Sequence, residues 1–292
     1  MEVIENFQEL EKINFQQHAG DFKDNREKEI YLRKDRVVRL YDAENVIKTA
    51  GNNLEFLQNL LNLHIDGVNT PNRICLDSKL PGHHYIISKY LKDSIDLEYF
   101  DRKTTLFEDI LKVVINIFET LEKCHEENLY IFDIHSGNIL VDSDLKPYFF
   151  DFDNSLFIKN DKLIFESKST TFSDCMKMRE AQNCFKRCYG SVNYLNNFYN
   201  ANPDLLVGFY QQFDKEYTLQ MILDIMYIRK RMGVNPYCDL DKNNIKKLGL
   251  SSKFTKKLIN AFINGEPFGE TDYFLDELKD LQGSRLSRKL NR

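Results

Sequence analysis

The chain has 292 residues, of which 42% are hydrophobic and 29% charged, and its formal net charge is -5. This length allows one large domain or two lobes around a buried core. The 22 Phe and 15 Tyr residues argue against disorder, because disordered chains are poor in aromatic residues. The mild acidity disfavours a nucleic-acid binder, whose affinity depends on basic residues that neutralise phosphates.

The cysteines and the N-terminal residues predict a cytoplasmic protein with reduced thiols. Six cysteines are present and none forms a CxxC pair. The first residues carry acids where a secretory or transit peptide needs bases and an apolar run. No segment approaches the roughly 18 consecutive apolar residues of a bilayer-spanning helix. We therefore expect no membrane insertion.

The first 90 residues or so predict a small sheet with one helix. Residues 29–41 contain two short β-type runs around Lys34-Asp35, which is the pattern of a hairpin. Apolar residues then recur at helical spacing from about Ala43 to Leu63. Two more strand-like runs follow, at Arg73–Leu76 and His84–Leu91.

The remaining chain predicts a mainly helical unit. Thr104 to His125 form a clearly amphipathic helix, and two apolar runs, Ile139–Val141 and Pro147–Phe152, form a hairpin. From about Phe172 the pattern is helical. A hinge near residues 90–96 therefore separates a predicted N-terminal lobe, residues 1–92, from a larger lobe, residues 93–284, and a short basic tail, residues 285–292, follows.

Three polar residues stand in the otherwise apolar segment between residues 130 and 157. Asp133 follows the long helix, Asn138 precedes the hairpin and Asp151 follows it. A hairpin from 139 to 150 brings its two ends together, so Asn138 and Asp151 should be neighbours. An amide oxygen with carboxylate oxygens suits Mg²⁺, which keeps water and phosphate oxygens as its other ligands. Asp133 is placed to receive a hydroxyl proton or to orient an acceptor.

The sequence DIHSGNIL at residues 133–140, followed by DFD at 151–153, resembles the catalytic and metal-binding loops of the protein-kinase-like superfamily. That superfamily includes protein kinases and the aminoglycoside and choline type phosphotransferases. The resemblance implies an α+β, two-lobed fold with a small sheet lobe and a larger helical lobe. It also implies that Asp133 positions or deprotonates the acceptor and that Asn138 and Asp151 hold Mg²⁺ on ATP. Asp153 then serves a second metal ion or caps the following turn.

The resemblance also implies a set of nucleotide-binding residues in or near the first lobe: Gly20, Arg39, Glu55, Lys89, Leu91 and Leu140. Arg39 stands where the family carries a phosphate-binding lysine. Glu55 is the candidate helix residue that pairs with the side chain of Arg39. Glu55 fits a solvated helix face equally well, and Gly20 is either a remnant of the phosphate-binding turn or part of an ordinary surface turn.

Two further residues of this set belong to a hinge strand, whose backbone in the family hydrogen-bonds adenine. By the resemblance these are Lys89 and Leu91, and Leu140 forms the floor under the base. Leu140 is also consistent with an ordinary core leucine.

Departures from the family pattern indicate an atypical member. Ile131 and Phe132 replace the usual His-Arg pair, and His135-Ser136 replaces Lys-Pro, which is closer to small-molecule phosphotransferases. We expect transfer of the γ-phosphoryl of Mg-ATP to a hydroxyl. A Ser/Thr-type protein acceptor is preferred because no cluster of acids suited to a polycationic substrate is visible. A small-molecule kinase, a nucleotide-binding pseudokinase that acts as an interaction module, and a nucleotidyl transferase are the alternatives.

Overall fold

The computed structural model describes residues 11–12, 30–33, 36–42, 53–76, 83–97, 99–100, 106–152, 155–160, 162–165, 203–228, 242–247, 250–260 and 272–290. These residues form helices and small sheets, which confirms the α+β class predicted from the sequence. None of the helices in this part of the chain is both long and apolar enough to cross a membrane.

The strands are short and, in chain order, are β1 Glu11–Lys12, β2 Ile30–Arg33, β3 Arg36–Asp42, β4 Pro71–Leu76, β5 His83–Lys89, β6 Ile95–Asp96, β7 Leu129–Tyr130, β8 Ile139–Val141, β9 Pro147–Phe149, β10 Leu156–Lys159 and β11 Lys162–Phe165. The helices are α1 Asn53–Leu61, α2 Phe107–Glu126, α3 Pro203–Ile228, α4 Lys242–Lys247, α5 Ser252–Leu258 and α6 Asp272–Leu290. A 3₁₀ turn, Ser136–Asn138, precedes β8.

The first five strands form one antiparallel sheet in the order β1-β2-β3-β5-β4. Arg33 pairs with Arg36, which confirms the hairpin predicted around residues 34–35. The predicted end of β5 at Leu91 is wrong, because the strand ends at Lys89. The carbonyl of Leu91 instead accepts hydrogen bonds from the backbone N–H and the hydroxyl of Ser94, which closes a turn.

Helix α1 presents a buried face to the core. Phe56, Leu57 and Leu60 are buried, at the spacing that places residues on one side of a helix. The described helix ends at Leu61, two residues before the predicted end, and the predicted part from 43 to 52 lies outside the described residues. Helix α1 contacts β4 of the first sheet and also β10 and β11.

Helix α2 confirms the amphipathic pattern, with buried residues recurring from Ile110 to His125. It begins at Phe107 rather than at the predicted Thr104, because Leu106 has an extended backbone with φ -99° and ψ 125°. The helix packs against α3, α6, β7 and β9. It therefore lies in the middle of the core, and it ends two residues before β7.

The hairpin of β8 and β9 forms as predicted, with Ile139 opposite Phe149 and Val141 opposite Pro147. The prediction that its second strand reaches Phe152 is wrong. The strand ends at Phe149 because Asp151 has a left-handed backbone with φ 61°, which cannot continue a strand. The Asp142 carboxylate accepts hydrogen bonds from the N–H groups of Asp144 and Lys146 and so closes the turn.

One apolar cluster runs through the described chain, from Phe56 and Ile86 to the helices of the C-terminal part. Phe118 of α2 and Phe254 of α5 both contact the ring of Phe274 on α6. Cys124 is buried in this core and forms no disulfide, as expected for a reduced thiol. Helix α6 continues to Leu290 and so includes most of the predicted basic tail.

Candidate active site

Asp133 lies on the loop between β7 and the 3₁₀ turn, where the chain reverses sharply. Phe132 has a φ of 62°, and the N–H of Asp133 donates to the carbonyl of Ile131 at 2.7 Å. The Asp133 side chain is 43% exposed, whereas Ile131, Phe132 and Ile134 are buried. The loop therefore presents one carboxylate outward from an apolar base.

A buried carboxylate from α3 holds this loop from beneath. Asp214 accepts hydrogen bonds from the backbone N–H groups of Ile131 and Phe132, each at 2.8 Å. The carboxylate also contacts the side chain of His125 on α2, whose Nε2 lies 3.1 Å away. Asp214 is completely buried, so these contacts replace the hydration that a carboxylate otherwise needs. The position of Asp133 thus depends on a residue 81 positions later in the chain.

Asp214 is not among the site residues predicted from the sequence. The available signal is an acid that directly follows the segment FYQQF at residues 209–213, in which three of the five residues are aromatic. Such a charge is rarely buried unless it is paired. The signal does not reveal the partners, because the hydrogen-bonded N–H groups belong to backbone far away in sequence.

The surroundings of Asp214 are poor in water and disfavour further negative charge. Burial raises the pKa of Tyr130 from 10.0 to about 12, and the charge of Asp214 contributes in the same direction. Burial, again assisted by Asp214, also raises the pKa of the Cys124 thiol. Tyr130 and Cys124 therefore remain neutral beside the loop at ordinary pH.

Phe132 stores backbone strain that aromatic packing offsets. A positive φ in a bulky residue costs on the order of 1–3 kcal/mol. The buried ring of Phe132 packs edge-on against Tyr210 at a centroid distance of 4.7 Å and against Phe213 at 5.0 Å. Tyr210 and Phe213 of α3 thus hold the side chain of Phe132, while Asp214 holds its backbone N–H.

Asp133, Asn138 and Asp151 are brought together through the backbone of the hairpin. The amide Nδ2 of Asn138 donates to the carbonyl of Asp133 at 3.0 Å, which directs Oδ1 to the opposite side of the amide group. The N–H of Phe150 donates to the carbonyl of Asn138 at 3.1 Å, so Asp151 follows directly after this contact. The two hydrogen bonds join Asn138 to Asp133 and to Phe150, the residue that precedes Asp151.

The oxygen atoms of Asn138 and Asp151 are of the kind that bind a magnesium ion whose other ligands are water and phosphate oxygens. In the described part of the chain no three His, Cys, Asp or Glu side chains cluster as a metal site. Asn138 and Asp151 can supply an amide oxygen and a carboxylate, and Mg²⁺ commonly takes one or two protein carboxylates with waters and substrate phosphates. Asp153, the third predicted ligand, lies outside the described residues.

The candidate phosphate-binding residues are placed only in part. Arg39 lies on β3, opposite Ile30 of β2 and Ile86 of β5, which is an interior position of the sheet. Glu55 is on α1 with an exposed side chain, beside the buried Phe56. Gly20 lies outside the described residues.

Of the predicted hinge residues, Lys89 is the last residue of β5 and Leu91 lies two residues beyond it, and the carbonyls of both accept hydrogen bonds. The Lys89 carbonyl accepts one from Asn69 Nδ2 at 3.2 Å, which leaves a second lone pair. The Leu91 carbonyl accepts two from Ser94, at 3.3 Å from its N–H and 2.6 Å from its hydroxyl. Leu140 is half-buried in β8 and pairs with Asp96 of β6. The segment after the hinge is thus hydrogen-bonded to the hairpin.

A second small sheet connects the two loops of the site. β10, which follows the metal-binding candidate Asp151, pairs with β7, which precedes Asp133, and Leu156 is opposite Tyr130. Ser155 Oγ donates to the carbonyl of Ile131 at 3.1 Å, and the ring of Phe157 contacts Phe56 of α1. The sequence did not predict β10 and β11.

No protein-family model matches the chain, and no curated protein matches it either.

Proposed function

We propose that the protein is a magnesium- and ATP-dependent phosphotransferase of the protein-kinase-like type, which moves the γ-phosphoryl of ATP to a hydroxyl. The observation that carries this proposal is the pair of hydrogen bonds that ties Asn138 to Asp133 and to Phe150, the residue before Asp151. These contacts support the proposal because they hold the backbone of Asp133 and of the residue before Asp151 against Asn138.

The chemistry assigned to each residue follows from its atoms. The acceptor oxygen forms a bond to the γ-phosphorus, the bond from that phosphorus to the bridging oxygen breaks, and ADP leaves with the electron pair. The hydroxyl proton passes to the Asp133 carboxylate. Asn138 and Asp151 would hold Mg²⁺, and the ion would offset the charge of the phosphates. Catalysis is thus mainly positioning, and Asp214 keeps the loop in place.

The arrangement of elements supports a two-lobed reading. Among the described residues, those before position 90 form the antiparallel sheet and α1, and the helices α2 to α6 follow later in the chain. The loop after α1 reaches across to the hairpin, because the N–H of Phe149 donates to the Gly67 carbonyl at 2.9 Å. ATP would lie between the end of β5 and the hairpin, with Leu140 beneath the base.

Phosphoryl transfer is tested with purified protein, Mg²⁺ and γ-labelled ATP, by following ADP release and label transfer. We expect Mg-ATP to raise the melting temperature, since a ligand that binds the native state stabilises it. Asp133→Ala should lower turnover about 100-fold or more, as expected for loss of a proton acceptor, and should still bind Mg-ATP. Asp151→Ala should abolish the magnesium-dependent part of the stabilisation.

Asp144→Asn is the matched control, because Asp144 is an exposed acid at the opposite end of the same hairpin. Its turnover and nucleotide binding should equal those of the wild type. Turnover that survives both Asp133→Ala and Asp151→Ala would refute the proposal. Stabilisation by Mg-ATP without any turnover would instead identify a nucleotide-binding interaction module. In a parallel reaction with α-labelled ATP, label on a product would identify nucleotidyl transfer.

A further inference from the structure

His135 folds its imidazole back over the 3₁₀ turn that follows it. Its Nδ1 accepts a hydrogen bond from the N–H of Gly137 at 3.1 Å, and its carbonyl accepts one from the N–H of Asn138 at 3.0 Å. A nitrogen that accepts a hydrogen bond carries its lone pair and no proton. The neutral ring therefore has its proton on Nε2.

The protonated nitrogen faces the predicted proton acceptor. Nε2 of His135 lies 3.9 Å from Oδ1 of Asp133, and the two side chains are 45% and 43% exposed. That distance is too long for a direct hydrogen bond. It does allow one oxygen atom to lie within hydrogen-bond distance of both groups, at about 2.7–3.0 Å from each. His135 thus offers a hydrogen-bond donor and Asp133 an acceptor, and both side chains are partly exposed to solvent.

Gly137 makes this ring position possible. A Cβ atom at residue 137 would lie 3.0 Å from Cε1 and 3.1 Å from Nδ1 of His135, which is tighter than nine in ten real contacts of a Cβ atom. With any larger residue at 137, the ring would therefore have to shift by a few tenths of an ångström. The ring position thus depends on both the acceptor nitrogen of His135 and the missing side chain of Gly137.

We infer that His135 orients the acceptor hydroxyl, with Nε2–H donating to the hydroxyl oxygen while that hydroxyl donates its proton to Asp133. This inference rests on the proposed phosphotransferase function. One lone pair of the oxygen accepts from Nε2–H, and the other forms the bond to the γ-phosphorus. The bond to the bridging oxygen breaks, ADP leaves with that electron pair, and the proton passes to Asp133. Fixing both partners of the hydroxyl sets the direction of the attacking lone pair.

The competing role for His135 is to cap the turn only, and two substitutions distinguish the roles. Asn is as long as the ring up to Nδ1, so His135→Asn keeps the acceptor for the Gly137 N–H in an Asx turn. It has no group that reaches Asp133. Gln extends to the position of Nε2, so His135→Gln keeps a donor near Asp133 and loses the turn contact. An orienting role thus predicts that His135→Gln is more active than His135→Asn, and a capping role predicts the reverse.

The activity probe is Mg-ATP alone, with water as the acceptor and ADP release as the readout. We expect His135→Asn to lower kcat about tenfold or more, the loss typical of one strong hydrogen bond in the transition state. The dissociation constant of Mg-ATP, measured by calorimetry, should not change. His135→Gln should keep kcat within about threefold of the wild type. Wild-type kcat in His135→Asn with a loss in His135→Gln would overturn the inference in favour of capping.

Gly137→Ala is an independent variant that leaves His135 chemically intact. Because the new Cβ requires the ring to shift by a few tenths of an ångström, Gly137→Ala should lower kcat, by less than His135→Asn does, with an unchanged melting temperature to within a few degrees. Wild-type kcat in Gly137→Ala would contradict the inference.

The tautomer of His135 gives a readout that does not depend on activity. Long-range ¹⁵N NMR at high pH, where the ring is neutral, should show the proton on Nε2 in the wild type and a changed tautomer balance in Gly137→Ala. A proton on Nδ1 in the wild type would overturn the inference even if the enzyme is active. A wild type with the expected tautomer that neither binds nor hydrolyses Mg-ATP would refute the phosphotransferase function, and the orienting role with it.

Discussion

The two loops of the candidate site are held in different ways. The loop of Asp133 depends on a side chain, because the carboxylate of Asp214 accepts hydrogen bonds from the backbone N–H groups of Ile131 and Phe132. The loop of Asp151 depends on backbone pairing. Phe149 donates to the Gly67 carbonyl and accepts from the N–H of Asn69, each at 2.9 Å, and Phe150 donates to Asn138.

This difference determines which substitutions each loop tolerates. Removing one carboxylate releases the first loop and leaves several buried donors without an acceptor. Backbone hydrogen bonds survive most side-chain changes, so the second loop is sensitive chiefly where the backbone geometry itself needs a particular residue. Gly67 is such a position, because its φ is 90° and a Cβ there would lie 2.6 Å from Thr120 Oγ1.

Asp214→Ala is expected to have the largest effect. It leaves the N–H groups of Ile131 and Phe132 buried without a partner, at a cost of about 1–3 kcal/mol for each donor. The free energy of unfolding, measured in urea, should fall by about 3–5 kcal/mol. Asp214→Asn should lower the free energy of unfolding by less than Asp214→Ala does, because one acceptor oxygen remains.

Asp276→Asn is the matched control, because Asp276 is an exposed helical acid. Its unfolding free energy should change by less than about 0.5 kcal/mol. An unchanged urea midpoint in Asp214→Ala would show that the first loop does not depend on this carboxylate.

Gly67→Ala tests the second loop and should have an intermediate effect. The positive φ and the contact with Thr120 together should cost about 2 kcal/mol of unfolding free energy. Adding Thr120→Ala removes the atoms at 2.6 and 3.0 Å but not the backbone strain. In a double-mutant cycle the two substitutions should therefore couple favourably by about 1 kcal/mol. Simple additivity would show that the loop relaxes away from Thr120.

Tyr130→Phe should have the smallest effect, and it should appear only at high pH. The pKa of Tyr130 is raised from 10.0 to about 12 in the folded protein, chiefly by burial and further by Asp214. Ionisation of the unfolded tyrosine thus favours unfolding as the pH rises past 10, and this loss continues up to the folded pKa. Between pH 9 and 11 the variant should gain about 1 kcal/mol relative to the wild type in urea unfolding. If the difference in unfolding free energy between the variant and the wild type stays constant from pH 9 to 11, the phenol ionises as easily in the folded protein as in the unfolded chain.

Local pattern was enough to predict several elements of this fold. The spacing of apolar residues predicted α2 and the hairpin of β8 and β9, because each is stabilised by contacts between residues close in sequence. The ends of β5 and β9 were predicted two and three residues too late. Apolar residues continue past both strands, while the turn at Leu91 and the left-handed Asp151 end them.

The residues of the candidate site were predictable where they lie within one segment. Asp133, Asn138 and Asp151 span 19 positions, and a hairpin between them is visible in the sequence. Asp214 was not predictable, because its hydrogen-bond partners lie 82 and 83 positions away. The tautomer of His135 required the position of the Gly137 N–H, which only coordinates provide.

The sequence by itself determined the class of the fold, the central helix and the order of the polar residues around the hairpin, since periodicity and turn residues record contacts over a few positions. The tertiary structure alone decided the strand order of the first sheet, the pairing of β10 with β7 and the burial of Asp214 beneath the loop of Asp133. These features join segments far apart in the chain, and their free energy comes from packing and desolvation that no local pattern encodes.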